Sequence, residues 1–221
     1  MPVSKASNFG NPHIGLFAKA SDGLVVADAS CSPKFIKSLS VLGCEVAAPS
    51  FGGVGGLAGL FCALNSNGII LPSFVEKSEI ASFKKLGLNA ITMPGRFSAT
   101  GNNIAANDFG AIANPELSAQ DTKRISDCLG VEVVRRSVAG YLTPGSCLLA
   151  TNKGFLAHNR AGEEELKELQ SILRVGGANC TLNTGTAFVS ICAVSNSHAA
   201  ILGESSTGFE VGRAAGALGM G

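Results

Sequence analysis

The sequence predicts an α/β protein built as a closed ring of five similar units. Three observations predict it. A pattern of strand, turn, strand, helix and strand recurs along the 221 residues, the copies lie 42 to 45 residues apart, and a lone short strand precedes the first copy. If that strand pairs with the last unit, both free sheet edges disappear.

The clearest copy of the pattern runs from Gly145 to Gly185. A hairpin is predicted around Asn152-Lys153-Gly154, because glycine accommodates the positive φ that a tight turn needs. A helix is predicted next, since the apolar residues from Leu166 to Leu173 follow three- and four-residue spacing. Glu163 to Glu165 lie in its first turn, where the helix dipole favours negative charge. A third strand completes the unit.

Glycines mark corresponding points in the other copies. We align the hairpin turns at Gly23, Gly68, Gly110 and Gly154, with His198 in the fifth place. Helices are expected to end where glycine adopts the left-handed backbone conformation. The expected helix ends are Gly43, Gly87, Gly130, Arg174 to Gly176 and Gly219. The closing strands are expected to finish near Gly10, Gly53, Gly95, Gly140 and Gly185.

This alignment sets the predicted domain organisation. The five units cover residues 11–53, 54–95, 96–140, 141–185 and 186–221, and the strand at 3–10 completes the fifth unit. We therefore predict one domain covering 1–221. The chain is long enough for two small domains, but a repeat that buries its faces against its neighbours favours one body.

Helix starts and core positions follow from the same reading. Ser32 before Pro33 supplies a capping hydroxyl and a proline at the first helical position. Ser118 with Asp121, and Thr207 with Glu210, resemble capping boxes. The expected core stripes are Phe35, Ile36, Leu39 and Leu42 in unit one, Ile80, Phe83 and Leu86 in unit two, and Ile125, Cys128 and Leu129 in unit three.

Composition limits the class of protein. Hydrophobic residues make up 46% of the chain and charged residues 15%, so most segments need a buried side. No apolar run is long enough to span a bilayer, and no signal peptide is recognisable. Seven cysteines without a CxxC pair favour a reducing, cytoplasmic compartment. A net charge of +1 is a weak footprint for a nucleic-acid-binding protein.

A cysteine nucleophile is the alternative reading of the chemistry. Five-unit α/β rings also include guanidine-modifying hydrolases that use cysteine, histidine and carboxylates. Cys62 and Cys192 each lie six residues before the aligned turn position, which predicts core strand residues with structural thiols. Cys180 and His158 remain as candidates beside the glutamates at 163–165. Convergence of a cysteine, a histidine and a carboxylate on the axial cavity would favour a hydrolase using Cys180 or Cys192.

No cofactor or metal is expected. The glycine-rich run from Gly52 to Gly59 lacks the lysine and hydroxyl residue of a Walker sequence, so a turn is the better interpretation. His13 and His198 have no second ligand at metal-binding spacing.

Several short motifs carry a resemblance by their order and spacing. They are Asn11-Pro12-x-Ile14-Gly15, Gly101-Asn102 followed by Asn107-Asp108, Thr151-Asn152-Lys153-Gly154, Glu163 to Leu169, and Thr207-Gly208-x-Glu210. Together they resemble the translation initiation factor 6 family of ribosome anti-association factors, over essentially the whole chain. The short C terminus resembles the archaeal form. The resemblance implies a five-bladed pentein ring, without enzymatic activity, that binds the large ribosomal subunit and blocks joining of the small one.

The resemblance also implies a binding surface. In the family this surface is formed largely by loops at one end of the ring and faces a ribosomal protein, which leaves room for limited rRNA contact. We expect a cytoplasmic monomer with no membrane partner. The matching positions are Gly15, Gly55, Gly56, Leu57, Gly101, Asn102, Asp108, Thr186, Phe188 and Val189. Bulk or charge in these loops, such as Gly15→Arg, is expected to weaken binding and leave the fold intact.

Overall fold

The computed structural model describes residues 3–53 and 56–221. It confirms the α/β class: five small three-stranded sheets alternate with helices, as expected for five related units. In each of the first four units the first and second strands pair antiparallel through a turn. The second and third strands pair parallel across a helix. This is the predicted order of strand, turn, strand, helix and strand.

The strands are short because each unit is small. In chain order they are β1 Val3–Ala6, β2 Ala18–Ala20, β3 Leu24–Ala27, β4 Glu45–Ala47, β5 Ala63–Leu64, β6 Gly68–Pro72, β7 Asn89–Met93, β8 Ile104–Ala106, β9 Ala111–Ala113, β10 Val133–Arg135, β11 Leu148–Ala150, β12 Phe155–His158, β13 Gly177–Cys180, β14 Ala193–Ser195 and β15 Ala200–Gly203.

The N-terminal strand completes the fifth sheet. Strand β1 lies parallel to β15, with Val3 opposite Ala200 and Ala6 opposite Gly203, so it stands where a third strand stands in the other units. The pairing predicted for this strand is confirmed. The edge of β15 that would otherwise be free is thereby covered.

Four of the five longer helices connect the second and third strands of their units, and the fifth follows β15 near the C terminus. The five are Pro33–Leu39, Lys77–Lys85, Ala119–Leu129, Glu163–Leu173 and Gly208–Ala217. The predicted caps form: the Ser118 hydroxyl accepts the Asp121 N–H, and Thr207 with Glu210 makes a full capping box. Gly130 adopts the left-handed conformation directly after the third helix, and Gly43 does so after the 3-10 turn Ser40–Leu42 that continues the first.

The helix stripes form the core with one exception. Phe35, Leu39 and Ile125 are fully buried, as predicted. Leu86, predicted to pack, is 42% exposed. The helix ends at Lys85, and Leu86 is the residue that caps it, so its side chain leaves the packed stripe.

The turn register differs from the predicted one in the first and last units. Ser21 donates its N–H to the Leu24 carbonyl at 2.8 Å, as Asn65 does to Gly68 and Asn196 to Ala199. The positions equivalent to Gly68, Gly110 and Gly154 are therefore Leu24 and Ala199, and the alignment on Gly23 and His198 was wrong. A Cβ on Gly68 would lie 2.3 Å from the carbonyl oxygen of Cys128, so close packing explains the glycine there.

One-turn helices lie where loops were predicted before the first strands. They are the 3-10 helices Ile14–Leu16 and Val189–Cys192 and the α-helical turns Ala58–Phe61, Thr100–Asn103 and Pro144–Cys147. Each contacts the next, and the fifth contacts the first. We call this closed circuit the short-helix ring. The first strands run from it to five β-turns at 21–24, 65–68, 107–110, 151–154 and 196–199, the turn ring.

Candidate functional site

Glycines set the spacing of the short-helix ring. A Cβ on Gly15 would lie 2.0 Å from the Ser190 carbonyl oxygen, and a Cβ on Gly59 would lie 2.0 Å from that of Gly15. Gly101 meets Gly59 in the same way at 2.1 Å, and Gly145 meets Gly101 at 2.2 Å. No side chain fits at these contacts, so the backbones of neighbouring units touch directly. Ser190 occupies the fifth place.

The short-helix ring carries no charged residue in any of its five segments. Because charged groups need water or a partner, an uncharged pole is less costly to desolvate than the rest of this surface. The ring is therefore suited to contact with another protein surface.

An aromatic cluster borders the ring where units four and five meet. Tyr141 and Phe188 each come shortly before a short helix, and their ring centroids lie 5.0 Å apart in an edge-on arrangement. His158 packs against both, with centroids at 5.0 and 5.2 Å. Beside them Leu142 is 47% exposed. Aromatic residues next to an exposed aliphatic one are typical of interface anchors.

The imidazole ring of His158 is uncharged in this cluster. Burial, together with the nearby Arg160 guanidinium, lowers its pKa. Its Nδ1 accepts the Arg160 backbone N–H at 3.2 Å, which leaves the ring proton on Nε2.

Strained connector turns project at the same end. They join each third strand to the next short helix. Among the described residues, four of them contain non-glycine residues with positive φ: Phe9 at 50°, Phe51 at 45°, Ala139 at 52°, and Asn183 and Thr184 at 50° and 61°. Phe9 is 75% exposed. Strain held in place together with an exposed phenyl ring indicates a functional surface.

We call this end of the molecule the short-helix face: the ring itself, the aromatic cluster with Leu142, and the connector turns. Five predicted site residues are half-buried here, where part of each side chain or backbone reaches the surface. They are Gly56, Leu57, Asn102, Thr186 and Phe188.

Three other predicted site residues lie within the ring but are buried. Gly15 and Gly101 make the backbone contacts described above, and the Val189 side chain is fully covered. The expectation that Gly15→Arg leaves the fold intact is wrong, since even a methyl group collides there. Gly55 lies outside the described residues.

Asp108 lies at the opposite end, in the turn ring. Its carboxylate accepts the backbone N–H and hydroxyl of Ser66 at 2.8 and 2.7 Å, and the side-chain amide of Asn152 at 2.6 Å. Asn152 Nδ2 also donates to Asp22 at 2.8 Å. Asp108 thus ties units two, three and four together. A surface at one end cannot include both Asp108 and Asn102.

Sequence reasoning missed three residues of the short-helix face. Tyr141 had a signal, because it is the chain's one tyrosine and, like Phe188, comes shortly before a predicted first strand. Leu142 and Phe9 had none, since apolar residues in a sequence are read first as core.

The thiols proposed as nucleophiles are buried and protonated. Burial raises the pKa of Cys180 and of Cys192 to about 12. Cys62 is likewise buried, with its pKa raised to about 12. A thiol that stays protonated at neutral pH is a poor nucleophile, so these side chains act as core residues.

The register correction changes which cysteines correspond. Cys62 matches Ala18 and Ala193 of the other units, whereas Cys192 matches Cys147. Within residues 3–53 and 56–221, no three His, Cys, Asp or Glu side chains are grouped as a metal site would require. None of the helices described is both long and apolar enough to cross a bilayer.

A ring of α/β units with an uncharged pole and protonated thiols belongs to the class of proteins that act through a binding surface. Sequence comparison gives the family. A model of the eIF-6 family matches residues 3–217, and the chain belongs to that family. Its members are ribosome-binding translation factors without enzymatic activity, which bind the large subunit and prevent its association with the small one.

Relatives named translation initiation factor 6 match along nearly their whole length. One from Methanobrevibacter smithii is 38% identical over 211 residues, covering 95% of this chain and 94% of the relative. One from Haloquadratum walsbyi is 33% identical over 217 residues, covering 97% and 96%. One from Pyrococcus abyssi is 32% identical over 227 residues and covers both chains completely. The hydrolase alternative is thereby overturned.

Proposed function

We propose that this chain docks on the large ribosomal subunit through its short-helix face and excludes the small subunit by bulk. One observation carries the proposal. An uncharged ring, bordered by the exposed side chains of Leu142 and Phe9, occupies a single end of the molecule. A rigid body seated where the small subunit must dock prevents joining without any chemical step.

The partner surface is chiefly that of a ribosomal protein, with limited rRNA contact. A protein that binds by neutralising phosphates places Lys and Arg at its contacts. Here the ring segments carry no charge, and the net charge of the chain is +1. An uncharged centre with aromatic anchors beside it matches the depletion of charge and enrichment of aromatic residues at protein–protein interfaces.

The candidate residues divide into two roles under this proposal. The half-buried residues Leu57, Asn102 and Phe188, with Gly56 and Thr186 beside them, contact the ribosomal subunit. The buried residues Gly15, Gly101 and Val189 determine the shape of the short-helix ring, because they hold the short helices together. Gly55 is retained as a candidate by its place in the sequence. Asp108 acts through the turn ring at the opposite end.

The architecture we propose is a closed pentein propeller forming one domain over 1–221. The closed circuit of short helices and the hydrogen bonds that join unit five to unit one support it. We further propose that the protein works as a monomer in the cytoplasm. Seven free cysteines agree with a reducing compartment.

A matched pair of surface variants tests the face. Leu142→Glu places a charge at the short-helix face, and Phe109→Glu places one at the turn ring, where Phe109 is 40% exposed. Wild-type protein and the Phe109 variant should co-sediment with large subunits and suppress formation of joined ribosomes. The Leu142 variant should bind at least about tenfold more weakly, since a charge would be desolvated at the contact.

Circular dichroism of both variants controls for folding, because each position is on the surface. Equal loss of binding in the two variants, or loss in the Phe109 variant alone, would place the contact elsewhere on the molecule.

A further inference from the structure

One half-buried lysine lies on the inner side of the ring of first strands. One residue of each first strand corresponds in register to one in every other: Lys19, Ala63, Ala105, Leu149 and Val194. All five line one cavity enclosed by these strands. Four of the positions are apolar, and the fifth carries the ammonium group of Lys19.

The ammonium group has one hydrogen-bond partner in the described part of the chain. Lys19 Nζ donates to the Ser190 hydroxyl at 2.7 Å, across the junction of units one and five. An ammonium group has three N–H donors, so two remain for something other than protein. Ser190 is the residue that replaces the fifth ring glycine, and it is buried.

Among the residues that the structure describes, no carboxylate lines the cavity with Lys19. The titratable group that acts on the pKa of Lys19 is the Cys62 thiol, which burial keeps protonated. Asp22 and Asp108 border the adjoining cavity nearer the turn ring, and both already accept hydrogen bonds from Asn152. The charge of Lys19 therefore has no carboxylate partner among the described residues that line its own cavity. Desolvation accordingly lowers the pKa of Lys19 to about 8.

The size of the cavity limits what can stand beside the ammonium group. The centre of a water-sized sphere can move through about 10 Å³ of it, so the cavity holds one small particle. Polyatomic anions such as phosphate are too large. A monoatomic anion fits, accepts hydrogen bonds from an ammonium group and neutralises its charge, which water cannot do.

We propose that the cavity enclosed by the five first strands binds one halide ion, chloride under ordinary conditions, against Lys19. The ion completes the donors of the ammonium group and compensates its charge at the junction of the first and last units. Binding of this ion to the fold does not depend on ribosome binding.

Thermal unfolding in matched salts tests the site. At pH 6.5, wild-type protein in potassium chloride should have a higher Tm than in potassium gluconate of equal ionic strength. The Tm should rise by about 4 °C for each tenfold increase in chloride above its Kd. At pH 10 the difference should vanish, because Lys19 has then lost its proton.

Two variants separate the site from general salt effects. Lys19→Met keeps the length of the side chain and should abolish the chloride response. Lys153→Met removes a charge from an exposed turn residue and should retain the response. In crystals grown with bromide, an anomalous peak should lie within hydrogen-bonding distance of Lys19 Nζ. Equal Tm values in the two salts at pH 6.5, or an unchanged chloride response in the Lys19 variant, would show that water alone fills the cavity.

Discussion

Four glycines decide how closely the short helices approach one another. At Gly15, Gly59, Gly101 and Gly145 a Cβ would lie between 2.0 and 2.2 Å from a backbone oxygen of the preceding member of the ring. Such contacts involve backbone on both sides, so neither side can yield by rotating a side chain. These glycines act on binding through the shape of the ring.

Gly101→Ala should destabilise the protein by about 1–3 kcal/mol or more, because overpacking shifts two backbones. Urea denaturation followed by circular dichroism measures the change.

Gly212→Ala is the matched control, since Gly212 lies exposed within the last helix with open space where a Cβ would be. It should raise stability by about 0.5–1 kcal/mol through helix propensity. A Gly101 variant as stable as wild type would refute the packing role of the ring.

At the scale of elements, acidic residues in the first turn of three helices tie each unit to the one before it. The Glu79 carboxylate accepts the Ser50 N–H at 2.9 Å, and that of Glu165 accepts the Ala139 N–H at 2.9 Å. Glu210 accepts from Thr184 and Gly185 at 3.1 and 2.9 Å. Glu79 and Glu210 also complete the capping boxes of their helices, so at these two positions one carboxylate both caps a helix and holds a connector turn in position.

Glu210 makes this link dependent on pH. Burial alone would raise its pKa, but hydrogen bonds from Thr207, Gly185, Thr181 and Thr184 outweigh it and lower the pKa from 4.5 to about 2. A lowered carboxyl pKa stabilises the fold fully above the unfolded value of 4.5, and the stabilisation is lost as pH falls towards 2.

Glu210→Gln should therefore lower the free energy of unfolding by roughly 2–3 kcal/mol at pH 7 and by much less near pH 2.5. Denaturation curves at several pH values measure the difference between variant and wild type. Glu163→Gln, at an exposed position in the first turn of the fourth long helix, should show little loss at either pH. A Glu210 effect independent of pH would contradict the charge-based account.

At the scale of the whole molecule, strand β1 joins the two ends of the chain. Four residue pairs connect it to β15, and ladder hydrogen bonds contribute about 0.5–1.5 kcal/mol each. Several kcal/mol is a large share of a typical stability of about 5–15 kcal/mol.

Deleting residues 1–10 should lower the Tm markedly and promote aggregation, because the edge of β15 becomes free. Differential scanning calorimetry and light scattering measure both effects. A permuted chain that begins at Asn11 and carries residues 3–10 after Gly221 should recover most of the stability. In that chain the strand follows the last helix, as third strands do in the other units. An unchanged Tm in the truncated protein would rule out a stabilising role for β1.

Local signals in the sequence determined the repeat, its elements and its closure. The caps at Ser118 and Thr207 and the left-handed glycines at Gly43 and Gly130 formed as predicted, and so did the apolar stripes of the helices apart from Leu86. Each of these features depends on residues a few positions apart, so a single sequence contains the necessary information. The turn register in units one and five was missed, because Gly23 resembles the other turn glycines locally while Leu24 occupies their place.

Only the tertiary structure decided which of these residues form a surface. In the structure Gly15 and Gly101 are buried, and Leu142 is exposed. Asp108 lies at the end opposite Asn102, and Lys19 lies beside Ser190. Lys19 and Ser190 are 171 positions apart, and glycines in the ring meet backbone from the neighbouring unit about forty residues or more away. Such contacts form only when separate units pack against one another. The sequence of a single unit therefore does not show which residues of the next unit will lie against it.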